Sequence, residues 1–128
     1  MRALDATYCF DLLRGDAGAR DRAVEWEDHK ELLAIPAPAL TEFLRSGYRR
    51  GGGLLERSLT LARRLEVLPL EADTAEDAAR LGGELDRRGL SVGNLDLVIA
   101  AVARKHHAIL VTRDQDFQRI PGLHLETY

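Results

Sequence analysis

The chain has little cysteine and no long apolar segment. Cys9 is its only cysteine, so no disulfide can form within the chain, and the fold does not depend on an oxidising compartment. The longest uncharged apolar run, residues 97–103, is far too short to cross a bilayer. The N-terminus reaches Asp5 without the long apolar stretch that follows the basic start of a secretory signal. We therefore expect a cytoplasmic protein that does not associate with a membrane.

An excess of basic residues is also lacking. The chain has 21 acidic and 18 basic residues and a net charge of −3, whereas nucleic-acid-binding proteins usually have a basic balance. Net charge is a poor guide, however, if acidic groups gather in one pocket and arginines surround it. The 45% of hydrophobic residues is ordinary for a globular protein. With 128 residues and neither repeats nor low-complexity tracts, we predict a single domain over residues 1–128.

Short apolar runs alternate with segments of helical periodicity. This pattern predicts strands at 1–4, 32–35, 67–70, 109–111 and 123–126, and helices at 7–15, 17–30, 39–50, 54–65, 74–88 and 95–105. We interpret the glycines at 51–53 as the break in a helical hairpin, and Asn94 as the N-cap of the last helix. The alternation indicates an α/β fold, a three-layer α/β/α sandwich around a small central parallel sheet.

Polar residues follow the predicted strands, where open parallel sheets bind their ligands. They are Asp5 after the first strand, Thr112, Asp114 and Asp116 after the fourth, and Glu42 and Asp96 near the starts of two helices. These carboxylates come from distant stretches of sequence, but all could converge on one edge of the sheet. Asp96 is the most informative, because it continues the apolar stripe formed by Ile99, Ala100 and Ala103. A carboxylate on that side needs a partner, which the helix N-terminus and a metal ion could supply.

Oxygen ligands of this kind suit Mg²⁺ or Mn²⁺, and one or two such ions are expected here. Zinc fits poorly, because Cys9 stands alone and His106 and His107 are adjacent rather than at ligand spacing. We interpret the two histidines as the structural end of a helix, and Cys9 and Trp26 as packing residues.

Four segments together carry a family resemblance: LDAT at 4–7, LTEF at 40–43, GNLDLVIAA at 93–101 and LVTRDQDF at 110–117. In order and spacing they resemble the successive motifs of PIN domains. The segment RIPGL at 119–123 is similar to the end of the VapC toxin branch. The match extends over essentially the whole chain, and four motifs in register are far more specific than any one of them.

The resemblance implies a metal-dependent endoribonuclease, the toxin of a VapBC-type toxin–antitoxin system. It assigns catalytic and metal-binding roles to Asp5, Glu42 and Asp96. The fourth acid is Asp114 or Asp116, of which Asp114 is preferred because it follows the strand more closely. The resemblance further implies cleavage of RNA, often transfer RNA, a homodimer, and neutralisation by a small antitoxin of the VapB type.

Some positions depart from the family pattern, and others lie beside the expected ligands and could support them. Ala6 stands where a hydroxyl residue is common, although Thr7 follows it, and Asn94 stands where relatives often have another aspartate. We count Thr7, Asn94 and Thr112 as supporting residues. Arg45 and Arg49 share a helix face with Glu42 and, together with Arg113, could hold RNA phosphates. A solvated charge run is an equally good interpretation of Arg45, Arg49 and the next arginine, Arg50, whereas the direction of Arg113 is open because it lies in a strand-to-loop turn.

Other functions are less compatible with the sequence. A receiver domain would need paired acids after the first strand, and a phosphatase of the haloacid-dehalogenase type would need an aspartate where Thr7 stands. A dinucleotide-binding module would need a glycine-rich loop between a strand and a helix. The remaining alternative is a catalytically silent PIN fold that binds RNA or protein. Each acid also has a purely structural interpretation, as a turn, cap or solvated residue, but all of these would have to hold together.

Overall fold

Five short parallel strands form the centre of the computed structural model, which describes residues 1–128. The strands are β1 (Arg2–Leu4), β2 (Leu33–Pro36), β3 (Glu66–Leu68), β4 (Ile109–Val111) and β5 (Leu125–Glu126). Their order across the sheet is β3-β2-β1-β4-β5, and every neighbouring pair is parallel. Leu4 pairs with Val111, so β1 and β4 end side by side at the centre of one sheet edge.

Helices flank this sheet. They are α1 (Ala6–Arg14), α2 (Ala17–Asp28), α3 (Ala37–Arg50), α4 (Gly52–Ala62), α5 (Ala72–Arg87) and α6 (Asn94–Lys105), followed by a 3₁₀ helix over Gln115–Arg119. None of the helices combines the length and apolar character needed to span a bilayer. Successive strand residues such as Leu110 and Val111 are both buried, although they point to opposite faces of the sheet. Both faces are therefore covered, which confirms the predicted three-layer α/β/α sandwich.

Two helix boundaries differ from the sequence prediction. Asn94 is not the N-cap of α6, because Gly93 has the extended cap conformation and Asn94 already belongs to the helix. The glycines at 51–53 do not form a three-residue break either. Gly51 alone separates α3 from α4, with a φ of 66° that glycine adopts without steric cost, and α4 starts at Gly52. One residue is thus enough to reverse the chain between the two helices.

Aromatic residues fill the space beneath α1 and α2. Trp26 and Cys9 are buried, as their interpretation as packing residues predicted. The Tyr8 ring lies 5.3 Å from that of Trp26, and its hydroxyl donates to the Ala19 carbonyl at 2.9 Å. The charged helix α2 is therefore anchored to the core by Ala19 and Trp26, while most of its other residues face solvent.

Candidate active site

The central strands β1 and β4 deliver Asp5 and Thr112 to the same point. The Asp5 backbone N–H donates to the Val111 carbonyl at 3.1 Å, which extends the strand pairing by one residue. The Thr112 hydroxyl donates to Asp5 Oδ2 at 2.7 Å. Both residues are almost fully buried, with 4% of Asp5 and 5% of Thr112 exposed. A buried carboxylate is thereby held in one orientation.

The turn after β4 is ordered by the same hydroxyl. The Asp114 backbone N–H donates to Thr112 Oγ1 at 3.0 Å, and the Asp116 N–H donates to Asp114 Oδ1 at 2.9 Å. The second of these bonds caps the 3₁₀ helix, a short element that apolar periodicity does not reveal. Thr112 therefore links Asp5 to the turn that carries Asp114 and Asp116.

Three carboxylates form a compact group at this edge. Oxygen atoms of Asp96, Asp114 and Asp116 all lie within 4.8 Å of one another. Asp96 is half-buried in the first turn of α6, whereas Asp114 and Asp116 are exposed. Both candidates for the fourth acidic position therefore lie beside Asp96. Asp5 and Glu42 lie outside this compact group, but the charge of Asp5 acts on Asp96, and the charges of Asp96 and Asp114 act on Glu42.

The pKa values show how strongly the acidic groups interact. Burial, together with the negative charges of Asp114, Asp5 and Asp116, raises the pKa of Asp96 to about 6. Burial also raises the pKa of Asp5, against the effect of the Thr112 hydrogen bond. The pKa of Glu42 is raised by burial of its carboxyl and by the charges of Asp5, Asp96 and Asp114. The five acids therefore form one electrostatic unit.

No cation within the chain neutralises this unit effectively. Its only ion pair joins Asp116 to Arg119 at 3.6 Å on the exposed side. Glu42 is exposed on α3, as expected for a solvated residue, but it makes no ion pair with Arg45 three residues on. A cluster of carboxylate oxygens without a nearby thiolate or imidazole matches the ligand preference of Mg²⁺ and Mn²⁺. The residues present therefore fit a hard divalent cation.

The other predicted site residues differ in their exposure and in their hydrogen bonds. Thr7 lies half-buried on α1 and Asn94 is exposed on α6, and neither side chain makes a hydrogen bond. Arg45 and Arg49 are exposed on α3 without a carboxylate partner. Of the three supporting residues, only Thr112 donates a side-chain hydrogen bond to an acid of the site.

Arg113 turns away from the acids that flank it in sequence. Its two Nη atoms donate to the two carboxylate oxygens of Asp16, both at 3.1 Å, and Nε donates to the Tyr128 carbonyl at 3.0 Å. Its guanidinium carbon lies 4.1 Å from the centre of the Tyr128 ring. Arg113 therefore ties the β4 turn to α2 and to residue 128. Most of the Arg113 donors are thus engaged within the chain. Its role as an RNA contact stays a prediction.

Comparison with known proteins agrees with this architecture. The model of the PIN domain family matches residues 3–123. The chain is 41% identical over 66 residues to Ribonuclease VapC2 from Rickettsia felis, in an alignment that covers 51% of this chain and 49% of that protein. The chain thus spans about half the length of this relative. Over 131 residues it is 28% identical to the tRNA(fMet)-specific endonuclease VapC from Shigella flexneri, with 98% of this chain and 96% of that protein covered.

A solved structure has the same fold along its whole length. The VapBC2 complex from Rickettsia felis, bound to a DNA fragment from its promoter, contains a chain that superposes with a TM-score of 0.82. The superposition covers 99% of this chain and 98% of that chain, at 28% sequence identity.

Proposed function

Because this chain belongs to the PIN domain family, we propose that it is a metal-dependent endoribonuclease that hydrolyses RNA phosphodiester bonds as the toxin of a VapBC-type pair. The names of its relatives support this activity, and the resemblance found in the sequence is confirmed at the level of the family. The observation that carries the proposal is the group of five carboxylates with almost no cationic partner. Such a group is costly to ionise unless a cation binds to it.

In this proposal Asp5, Glu42, Asp96 and Asp114 hold one or two divalent ions, with Asp116 as the alternative or additional ligand. A bound Mg²⁺ or Mn²⁺ would lower the pKa of a water molecule and stabilise negative charge on the phosphodiester. Thr112 keeps the Asp5 carboxylate and the Asp114 backbone in fixed positions through its hydroxyl. Asp96, whose pKa is raised to about 6, would bind a divalent cation as the carboxylate, so a bound cation would favour its ionised form.

The proposal is tested by incubating RNA with the protein in Mg²⁺, Mn²⁺ or EDTA. Wild type is compared with Asp96→Asn and Asp5→Asn, and circular dichroism checks that each variant is folded. We expect discrete fragments from wild type in the presence of metal, and none from either variant or in EDTA. Folded wild type that cleaves no RNA under any metal would instead support the silent PIN fold. A variant that cleaves at the wild-type rate would rule out its residue.

Partners and assembly form the second part of the proposal. We propose a small antitoxin of the VapB type as the protein partner, transfer RNA as the first substrate to test, and the cytoplasm as the location. We also propose that residues 1–128 act as one domain and that two copies form a homodimer. Size-exclusion chromatography with light scattering should give the mass of two chains at micromolar concentration. The mass of a single chain would contradict the dimer without touching the proposed activity.

A further inference from the structure

A basic pocket lies between α1, α3 and α4, outside the acidic site. Its volume is about 490 Å³, within the range of roughly 300–1,000 Å³ that is common for ligand sites. It combines apolar and guanidinium groups and is lined by Phe10, Leu13, Arg14, Ser46, Arg50, Leu54 and Arg57. Nothing in the proposed metal chemistry uses these side chains.

The pocket and the acidic site share helix α3. Glu42, Ser46 and Arg50 follow one another at intervals of four residues, so they lie on the same side of the helix. Eight residues of helix place Arg50 about 12 Å from Glu42 along the axis. The opposite wall belongs to α1, which begins directly after Asp5. Each long wall of the pocket therefore belongs to a helix that carries or directly follows a site acid.

Unpaired positive charge is concentrated around this pocket. Residues 43–57 contain four arginines and one glutamate, in a chain whose net charge is −3. Arg50 and Arg57 are exposed and make no ion pair. Arg14 makes one, with Asp11, and keeps 70% of its side chain exposed. Guanidinium groups bind phosphates through parallel N–H donors, and an apolar floor suits a ribose or an unstacked base.

We propose that this basic pocket binds the RNA strand beside the scissile bond. Arg50 and Arg57 hold backbone phosphates, and the apolar floor around Phe10 receives the sugar or base of a nucleotide near the cut. The inference rests on the proposed ribonuclease function and adds a substrate subsite to it. An acidic protein segment would also suit the arginines. The shared face of α3, with Arg50 about 12 Å from Glu42 along the axis, favours a substrate that occupies both places at once.

The test compares a pocket variant, Arg50→Gln with Arg57→Gln, with a control, Arg63→Gln with Arg64→Gln. The control removes the same charge from exposed, unpaired arginines just beyond the other end of α4. Fluorescence anisotropy measures the binding of a labelled single-stranded RNA, with Asp96→Asn present in both variants to prevent cleavage. Steady-state cleavage without Asp96→Asn then separates KM from kcat.

We expect the pocket variant to bind RNA about tenfold more weakly than the control. The slope of log affinity against log salt should become shallower by about 1.4, since two phosphate contacts are lost at about 0.7 each. KM should rise while kcat changes little, because the carboxylates remain in place. Equal RNA affinities and salt slopes in the two variants would overturn the inference, even if wild type cleaves RNA. Weaker RNA binding by the pocket variant in a protein that never cleaves would keep the pocket as an RNA-binding site and contradict the proposed ribonuclease function.

Discussion

Two groups of carboxylates in this chain have opposite electrostatic surroundings. In the paired group a cation donates to each acid and lowers its pKa: Arg113 to Asp16, the Met1 amino group and Arg2 to Glu31, and Lys105 to Asp73. In the site group the pKa of each acid is raised, first by burial and then by the other acids: Asp5, Glu42 and Asp96. The residue types are the same in the two groups, whereas their burial and their charged neighbours differ.

The difference separates residues that hold the fold from residues that prepare a site. Ionisation of a paired acid favours the folded state, because the charge has a partner there. Ionisation of a site acid opposes folding, because each new charge lies among others of the same sign. The free-energy cost of clustering these negative charges can be offset when a divalent cation binds to them, and carboxylate oxygens are suited to such a cation.

The largest effect should separate the two candidates for the fourth acidic position. The charge of Asp114 acts on Asp5, Glu42 and Asp96, whereas that of Asp116 acts on Asp96 alone, and Arg119 partly pairs it. We expect Asp114→Asn to lower metal-dependent RNA cleavage by about a hundredfold or more, beyond the usual loss for a residue that only supports a ligand. Asp116→Asn should lower it several-fold. Initial cleavage rates over a Mn²⁺ titration measure both effects. Equal losses would mean that the two aspartates serve the site equally.

A second effect concerns the hydroxyl that joins the site acids. Thr112→Val keeps the shape of the side chain but removes its hydrogen bonds to Asp5 and to the Asp114 backbone. We expect about 10- to 100-fold weaker metal affinity or activity, the usual range for a residue that orients a ligand. Thr112→Ser keeps the hydroxyl and should retain most of the activity. Loss of activity in both variants would point to packing rather than to hydrogen bonding.

The smallest effect, on stability, should have opposite signs in the two groups. In EDTA at about pH 7.5, Asp96→Asn should raise the free energy of unfolding by about 1 kcal/mol, after allowance for solvent screening of a half-buried group. Asp16→Asn should lower it, because the ion pair with Arg113 is lost. Urea unfolding measures both changes. A lower free energy of unfolding for Asp96→Asn would show that a favourable interaction stabilises the Asp96 carboxylate in the folded state, instead of repulsion from the neighbouring acids.

The pH dependence of these two changes follows from the direction of each pKa shift. Asp96 has a folded-state pKa of about 6, above its usual 3.8, so its contribution to stability is full below pH 3.8 and is lost as the pH rises towards 6. The gain from Asp96→Asn should therefore vanish near pH 4. The pKa of Asp16 is lowered, so its contribution is present above its usual pKa and is lost as the pH falls below it. Unfolding curves at several pH values between about 3 and 8 should show both trends. Added Mn²⁺ should stabilise wild type but not Asp96→Asn.

Much of the architecture could be predicted from local patterns. Apolar runs and helical periodicity located all five strands and all six helices to within a few residues, because burial on both faces of the sheet leaves a strong hydrophobic pattern. The N-cap at Asn94 was wrong, since a cap depends on the φ and ψ angles of a residue and not only on its side chain. The 3₁₀ helix was missed because it is set by one hydrogen bond to Asp114 rather than by periodicity.

The sequence by itself determined which residues could meet. Acids placed directly after parallel strands must emerge at one sheet edge, whatever the details of packing. Only the tertiary structure decided which acids find a cation and which find one another. Asp16 and Arg113 are 97 residues apart in the sequence. No local sequence pattern predicts that they form a bidentate ion pair. Electrostatic interaction depends on distance in space and on exclusion of solvent, and both of these are set by the packed fold.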